Sequence, residues 1–344
     1  MKALAIAVLA MAVAACGGAK PHGATARKVE RVGAAMGSDL RLTAWTNDEA
    51  AAQQTFDAVF AEFERLEALM SVWRPGSDVL RINAAAGERA VAVHADVRDV
   101  LHLARQVSEW TAGTFDVTFG ALTDIWKFDH DLDGTVPTEE AIRARLPLVD
   151  YRRIEIDDHA GTVFLERRGM RIHLGGIGKG YAVGHAVEIF RRAGLHDFMV
   201  QAGGDLYVGG TKDGQPWKLG IADPRARDGH SFATIQLTDS TFSTSGDYAR
   251  FFIKDGVRYH HILDLRTGQP ARLCRSVTVA SDSPVIADAV AKGIFVLGPK
   301  EGMALVERLP NLAAVIVSAS NEVLVSSRLK DRFVLLAPPT DGIP

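Results

Sequence analysis

Cysteine is nearly absent: two residues, Cys16 and Cys274, in a chain of 344, which excludes a framework of several disulfides. A surplus of positive charge is missing as well. Lys and Arg number 39 against 42 Asp and Glu, a formal net charge of -3, so there is no basic footprint for nucleic acid. Beyond residue 16 no apolar run is long enough to span a bilayer. No internal repeat is visible, and no low-complexity tract beyond a small, polar stretch at 17–28. The remainder is ordinary globular composition, 47% hydrophobic and 24% charged, long enough for one large or two moderate cores.

The first residues differ from the rest. In MKALAIAVLAMAVAAC, Lys2 precedes an apolar run too short for a membrane helix, and small residues lead up to Cys16. That is the layout of a secretory signal, and AVAAC followed by two glycines resembles a bacterial lipobox. Residues 1–15 are read as the signal peptide, 16–28 as a lipidated Cys16 with a flexible tether, and 29–337 as the folded domain. The lipid on Cys16 is then the membrane anchor, and Cys274 has no intrachain partner. Gly17 in place of Asp, by resemblance to known lipoproteins, favours the outer membrane over the inner, with the body facing the periplasm.

Periodicity predicts a long amphipathic helix from an Asp48 N-cap through Phe56, Val59, Phe60, Phe63, Leu66 and Met70. A second helix, through Val97, Val100, Leu101, Ala104 and Val107, stops at Gly113, and a short third follows Pro137 and Thr138. RIEID, TVFLER and MRIHL read as strands, the last running into glycines, with a helix from about Lys179. The second half reads mostly as strand: FMVQA, LYVGG, WKLGIA, ATIQL, GVRYHHILD, SVTVAS, then a closing AAVIVSA/EVLVSS hairpin. Between these, Ser283-Pro284 opens a helix that Gly298 closes. The expectation is α+β, antiparallel sheet flanked by helices, in two lobes.

Several stretches carry candidate chemistry, each with a plainer reading beside it. GGIGKGYA, Gly175 to Ala182, runs a strand through four glycines into a helix, which suits a phosphate or is simply a tight turn. It has neither Walker A nor Rossmann spacing. In YHHILDLRTGQP, His260 and His261 face opposite sides of a strand, so at most one serves a given site; a histidine is a natural base for a hydroxyl. QAGGD and STSGDY interrupt strands with glycine, marking close approach to a ligand or a bulge. GTFDVTFGALTDIWKF is aromatic enough to stack a ring, or to fill a core. In ADAVAKGIF, Asp288 and Lys292 stand one helical turn apart: an ion pair worth roughly 0.2–0.5 kcal/mol if exposed, or part of a binding site if the apolar neighbours bury it.

In this order, with AAMGS, LMSVWRPGSDVLRIN and SVTVAS…ADAVAKGIFVLG, these segments resemble the ApbE family of flavin transferases over roughly Met36 to Gly298. The resemblance implies a T-fold-related ApbE-like architecture. It also implies transfer of the FMN half of FAD to a Thr or Ser hydroxyl of an exported redox partner, with release of AMP, a phosphotransfer-type reaction. The competing class is an FAD-binding or FAD-hydrolysing lipoprotein without transfer.

By position in the family's motifs, Met36, Trp73, Thr114, Phe115 and Asp116 would line the flavin nucleotide, with Trp73 where relatives commonly have Tyr. His261 matches the general base. Mg²⁺ would be held by the carbonyl of Gly176, by Asp288, and by a Thr one turn later. That Thr position holds Lys292. His173 and Gly184 stand where many members have Asp. The three replacements, at 173, 184 and 292, exchange an oxygen ligand or an anion for a neutral or cationic group, and His173, Lys292 and Lys179 in the glycine turn would also contact the nucleotide. Lys292 is therefore expected to supply part of the charge that Mg²⁺ supplies elsewhere.

Overall fold

A computed structural model describes residues 26–226 and 229–342. The signal peptide, Cys16 and the tether up to residue 25 lie outside the described residues. No helix among the described residues is long and apolar enough to cross a membrane.

An eight-stranded antiparallel sheet organises the chain. Its spatial order is Arg27–Ala35, Ser38–Thr46, Phe198–Ala202, Asp205–Gly209, Ser240–Gly246, Cys274–Ser281, Leu312–Ser318 and Val323–Val325. Strand side chains alternate between faces, so Leu312, Ala314 and Ile316 enter one core cluster while Ala313, Val315 and Val317 enter another. Both faces are covered, which explains why this strand is buried along its whole length. One face carries helices. The other packs on a three-stranded sheet, Trp217–Ala222, Ser231–Leu237 and Phe333–Leu335, through Leu219, Ile221, Phe232 and Ile235.

The helices follow from their periods and caps. Asp48 caps α1 (Glu49–Met70), accepting the Ala51 N–H at 2.9 Å, and Phe56, Val59, Phe63 and Leu66 are its buried stripe. α2 is Asp78–Ala84 and α3 is Ala95–Trp110. Thr138 caps α4 (Glu139–Arg145). α5 (Gly178–Arg192) and α6 (Pro284–Arg308) pack together in the main core. As expected, Gly298 interrupts the last helical stretch, with φ 83° and ψ 179° inside α6.

Two strand expectations are corrected. MRIHL belongs to no strand. The Asn83 side chain takes the place of a ladder neighbour, donating to the Ile172 carbonyl (2.9 Å) and accepting its N–H (2.7 Å). GVRYHHILD splits into Val257–His260 and Leu263–Asp264. The His261 N–H between them donates to the Arg250 carbonyl at 3.1 Å.

Close approach of α5 and α6 requires glycine at 180. A Cβ built there would lie 2.5 Å from the Pro284 carbonyl oxygen and 2.9 Å from the Val285 Cα, and backbone on that side cannot rotate away. Gly180→Ala is expected to lower stability by about 1–3 kcal/mol, the range for overpacking, against at most about 1 kcal/mol of gained helix propensity. Thermal unfolding checks this. An unchanged or raised Tm would show that the two helices have room to spare.

Candidate active site

The elements converge on a cavity of about 640 Å³. The glycine turn before α5 contributes Gly175 and Gly176 to its wall, the α3 exit contributes Thr114, Phe115 and Asp116, and His261 and Lys292 face it from the second half. Trp73, His173 and Lys179 line it too, and they also line an adjoining cavity of about 360 Å³. Met36 borders only the smaller one. Its backbone, at φ 49°, donates its N–H to Glu67 Oε2 at 3.1 Å. Of the residues singled out in the sequence, Asp288, His260 and Gly184 line neither cavity.

The floor is built from paired charges. Lys179, in the first turn of α5, places Nζ 2.7 Å from Asp205 Oδ2, and the Ser243 hydroxyl donates to the other oxygen of Asp205. Asp288 is fully buried. Its Oδ2 accepts the Gly180 N–H at 2.8 Å, and its Oδ1 lies 2.5 Å from Lys292 Nζ, which also reaches the Asp288 carbonyl at 2.9 Å. Burial pulls the Lys179 pKa down, but the Asp205 and Asp288 carboxylates outweigh it and hold it above the ordinary lysine value. Burial raises the Asp205 pKa, and the Lys179 and Lys292 ammonium groups overcome that to hold it low. Burial, with the charge of Asp205, pushes Asp288 up.

This donor set does not fit Mg²⁺. The ion wants oxygen ligands in near-octahedral array, yet both Asp288 oxygens already accept bonds, one from a fixed backbone amide and one from an ammonium. Gly176 is buried at the wall, and a Cβ there would sit 3.2 Å from the Lys292 side chain. The space beside the Gly176 turn is thus lysine's.

The two histidines divide as the strand pattern requires. His260 is buried, its Nε2 2.8 Å from the Ala271 carbonyl and its ring edge-on to Phe295. Burial pushes its pKa down to about 4. His261 faces the cavity with Nδ1 3.3 Å from the Arg250 carbonyl. A proton on Nδ1 satisfies that carbonyl and leaves Nε2 as the free lone pair. Burial, then the charges of His260, Arg250 and Lys292, push the His261 pKa down to about 3, so the imidazole is neutral at physiological pH.

Other residues act as scaffolding at the wall. The Asp116 carboxylate accepts the Thr118 N–H (2.8 Å), the Thr118 hydroxyl (2.6 Å) and the Tyr151 N–H (2.7 Å), and burial pushes its pKa up to about 6. Thr114 donates to Thr111 and Gly293 carbonyls, tying the α3 exit to α6. His173 accepts the Gly175 N–H at 3.0 Å and shapes the glycine turn, with burial lowering its pKa. Trp73, half exposed at the mouth, meets His130 edge-on.

Among the cavity residues not singled out as site residues in the sequence are Asp205, Arg250 and Asp129. Asp205 carried a signal, being the one charge entering an otherwise apolar strand after two glycines. Arg250 and Asp129 carried none, since each sits among ordinary loop residues.

The chain matches the ApbE family model over residues 36–316. It is 31% identical over 299 residues to an FAD:protein FMN transferase of Klebsiella pneumoniae, covering 87% of this chain and 92% of the relative. It is 30% identical over 342 residues to one of Treponema pallidum, covering 94% and 92%. The fold superposes on the crystal structure of an ApbE protein from Thermotoga maritima with a TM-score of 0.81 and 31% identity, covering 88% of this chain and 98% of that one. It superposes on the flavin transferase ApbE from Vibrio cholerae at 0.80 and 28% identity, covering 89% and 99%. With its glycine turn, its cavity-facing histidine and the length of these matches, the chain belongs to the ApbE family.

Proposed function

We propose that the protein transfers the FMN half of FAD to a Ser or Thr hydroxyl of a partner protein and releases AMP. The observation that carries this reading is the placement of a neutral imidazole, His261, in the same cavity as Lys179, Lys292 and the glycine turn. A pure binder has no need of a base there, and the relatives named FAD:protein FMN transferase agree with it.

The chemistry is a phosphoryl-type transfer to an alcohol. The acceptor hydroxyl gives its proton to His261 Nε2 as its oxygen bonds to the FMN-side phosphorus. The bond from that phosphorus to the bridging oxygen breaks, and the electron pair leaves with AMP. Negative charge grows on the pyrophosphate oxygens during this step, and fixed cations in a water-poor cavity stabilise it most. Lys292 and Lys179 supply them, together with the dipole end of α5, which begins beside the cavity without a side-chain cap.

In this reading Lys292 replaces the Mg²⁺ that the family resemblance implies, because its ammonium already occupies Asp288. The acceptor is an exported redox subunit with a short Asp/Gly/Ser/Thr segment. The enzyme meets it at the periplasmic face of a membrane, the outer one in preference, held by lipid on Cys16.

Mass spectrometry of a candidate acceptor peptide incubated with FAD and the mature protein is expected to show an FMN-sized gain. His261→Ala should abolish that gain while FAD binding persists; a variant that still transfers would remove the base from His261, and no gain with any exported acceptor would remove the transferase reading. Wild-type transfer is expected to survive EDTA. Lys292→Thr should transfer poorly in EDTA and recover with added Mg²⁺. Complete loss of wild-type transfer in EDTA, restored by Mg²⁺, would sink the lysine substitution.

A further inference from the structure

We infer that Arg250 is an anion-binding residue of this site, held by Asp129 until the FAD pyrophosphate displaces that carboxylate. The inference rests on the flavin-transfer reading only for the identity of its ligand.

Arg250 and Asp129 each border both cavities, so their ion pair lies where the two meet. Nη1 of Arg250 contacts Oδ1 of Asp129 across 121 residues of sequence. The pair joins the segment after Ser240–Gly246 to the loop that follows Phe128. Their side chains are 41% and 26% exposed, and a pair this wet is weakly held and open to exchange. The buried Lys179–Asp205 and Lys292–Asp288 pairs are not.

The guanidinium is planar and presents two parallel donors, which match two oxygens of a phosphate better than one carboxylate oxygen. It is the one cationic group at this junction whose partner sits near solvent, so releasing Asp129 leaves no buried charge behind. Arg250 also touches the chemistry through its backbone. Its carbonyl accepts the His261 N–H at 3.1 Å and faces His261 Nδ1 at 3.3 Å. The residue that grips the phosphate therefore also holds the tautomer that leaves Nε2 free, and its charge contributes to keeping His261 unprotonated before substrate enters.

The consequence is opposite signs for the two partners. In the full-length mature protein, Arg250→Gln is expected to weaken FAD binding about tenfold to a hundredfold, the worth of a charge-assisted contact, and to leave riboflavin, which has no phosphate, within about twofold. Arg250→Lys should fall between. Asp129→Asn removes the competitor and should tighten FAD several-fold without moving riboflavin. Flavin fluorescence titration reads every combination of variant and ligand. Equal weakening of FAD and riboflavin by Arg250→Gln, or weaker FAD binding in Asp129→Asn, would show that the pair only braces the cavity wall and overturn the inference. If the wild type binds FAD and Asp129→Asn tightens it, but no acceptor is ever modified, the transfer reading falls and this assignment stands.

Discussion

Two aspartates and two lysines are brought together at the cavity floor, and the arrangement around them follows from the need to neutralise buried charge. Asp288 has no exposure at all. Breaking such a pair by removing one partner typically costs about 3–5 kcal/mol, so the turn of α6 that carries Asp288 and Lys292 must meet the turn of α5 that offers the Gly180 amide. Apolar packing between two smooth helices tolerates sliding by a turn; this hydrogen bond does not. The contact is possible because Gly180 lets the α6 backbone come within van der Waals reach. Lys179, one residue earlier, is thereby aimed at Asp205 in the neighbouring strand. One polar constraint thus aligns two helices and the sheet.

That constraint also prepares the site for an anion. Ammonium groups buried in apolar surroundings would ordinarily lose their proton. Here the two carboxylates keep Lys179 charged, leaving fixed positive charge beside a glycine turn whose backbone is unshielded. Burial depresses the pKa values of His261 at the wall and of His260 behind it instead, because neither is paired with a carboxylate. Cations that stay charged and a base that stays neutral are what an attack on a pyrophosphate requires, and both arise from where the aspartates lie.

Much of the fold was legible. The stripe from Phe56 to Leu66 and the Asp48 cap define α1 without any tertiary information, because side-chain period and capping are local. The strand assignments held where apolar residues ran together. MRIHL failed because its apolar content is the same whether a strand or the Asn83 amide satisfies its backbone. The first hairpin, Arg27–Ala35 with Ser38–Thr46, was not read as strand at all: Arg27–Ala35 is an edge strand with few apolar residues, and in Ser38–Thr46 the buried Leu40, Leu42 and Ala44 are too short an alternating run to stand out from their charged neighbours.

The sequence by itself determined the local and the periodic: helix stripes and caps, the opposite facing of His260 and His261, the glycine turn, and a string of motifs dense enough to show kinship. It also placed Asp288 and Lys292 one turn apart. Only the tertiary structure decided what those residues do. Asp288 meets Gly180 across 108 positions, and Arg250 meets Asp129 across 121. Whether a carboxylate is free for a metal or already committed to an amide and an ammonium depends on groups that sequence spacing does not relate. Burial then sets the charge state of each, and burial is a property of the packed sheet and helices together.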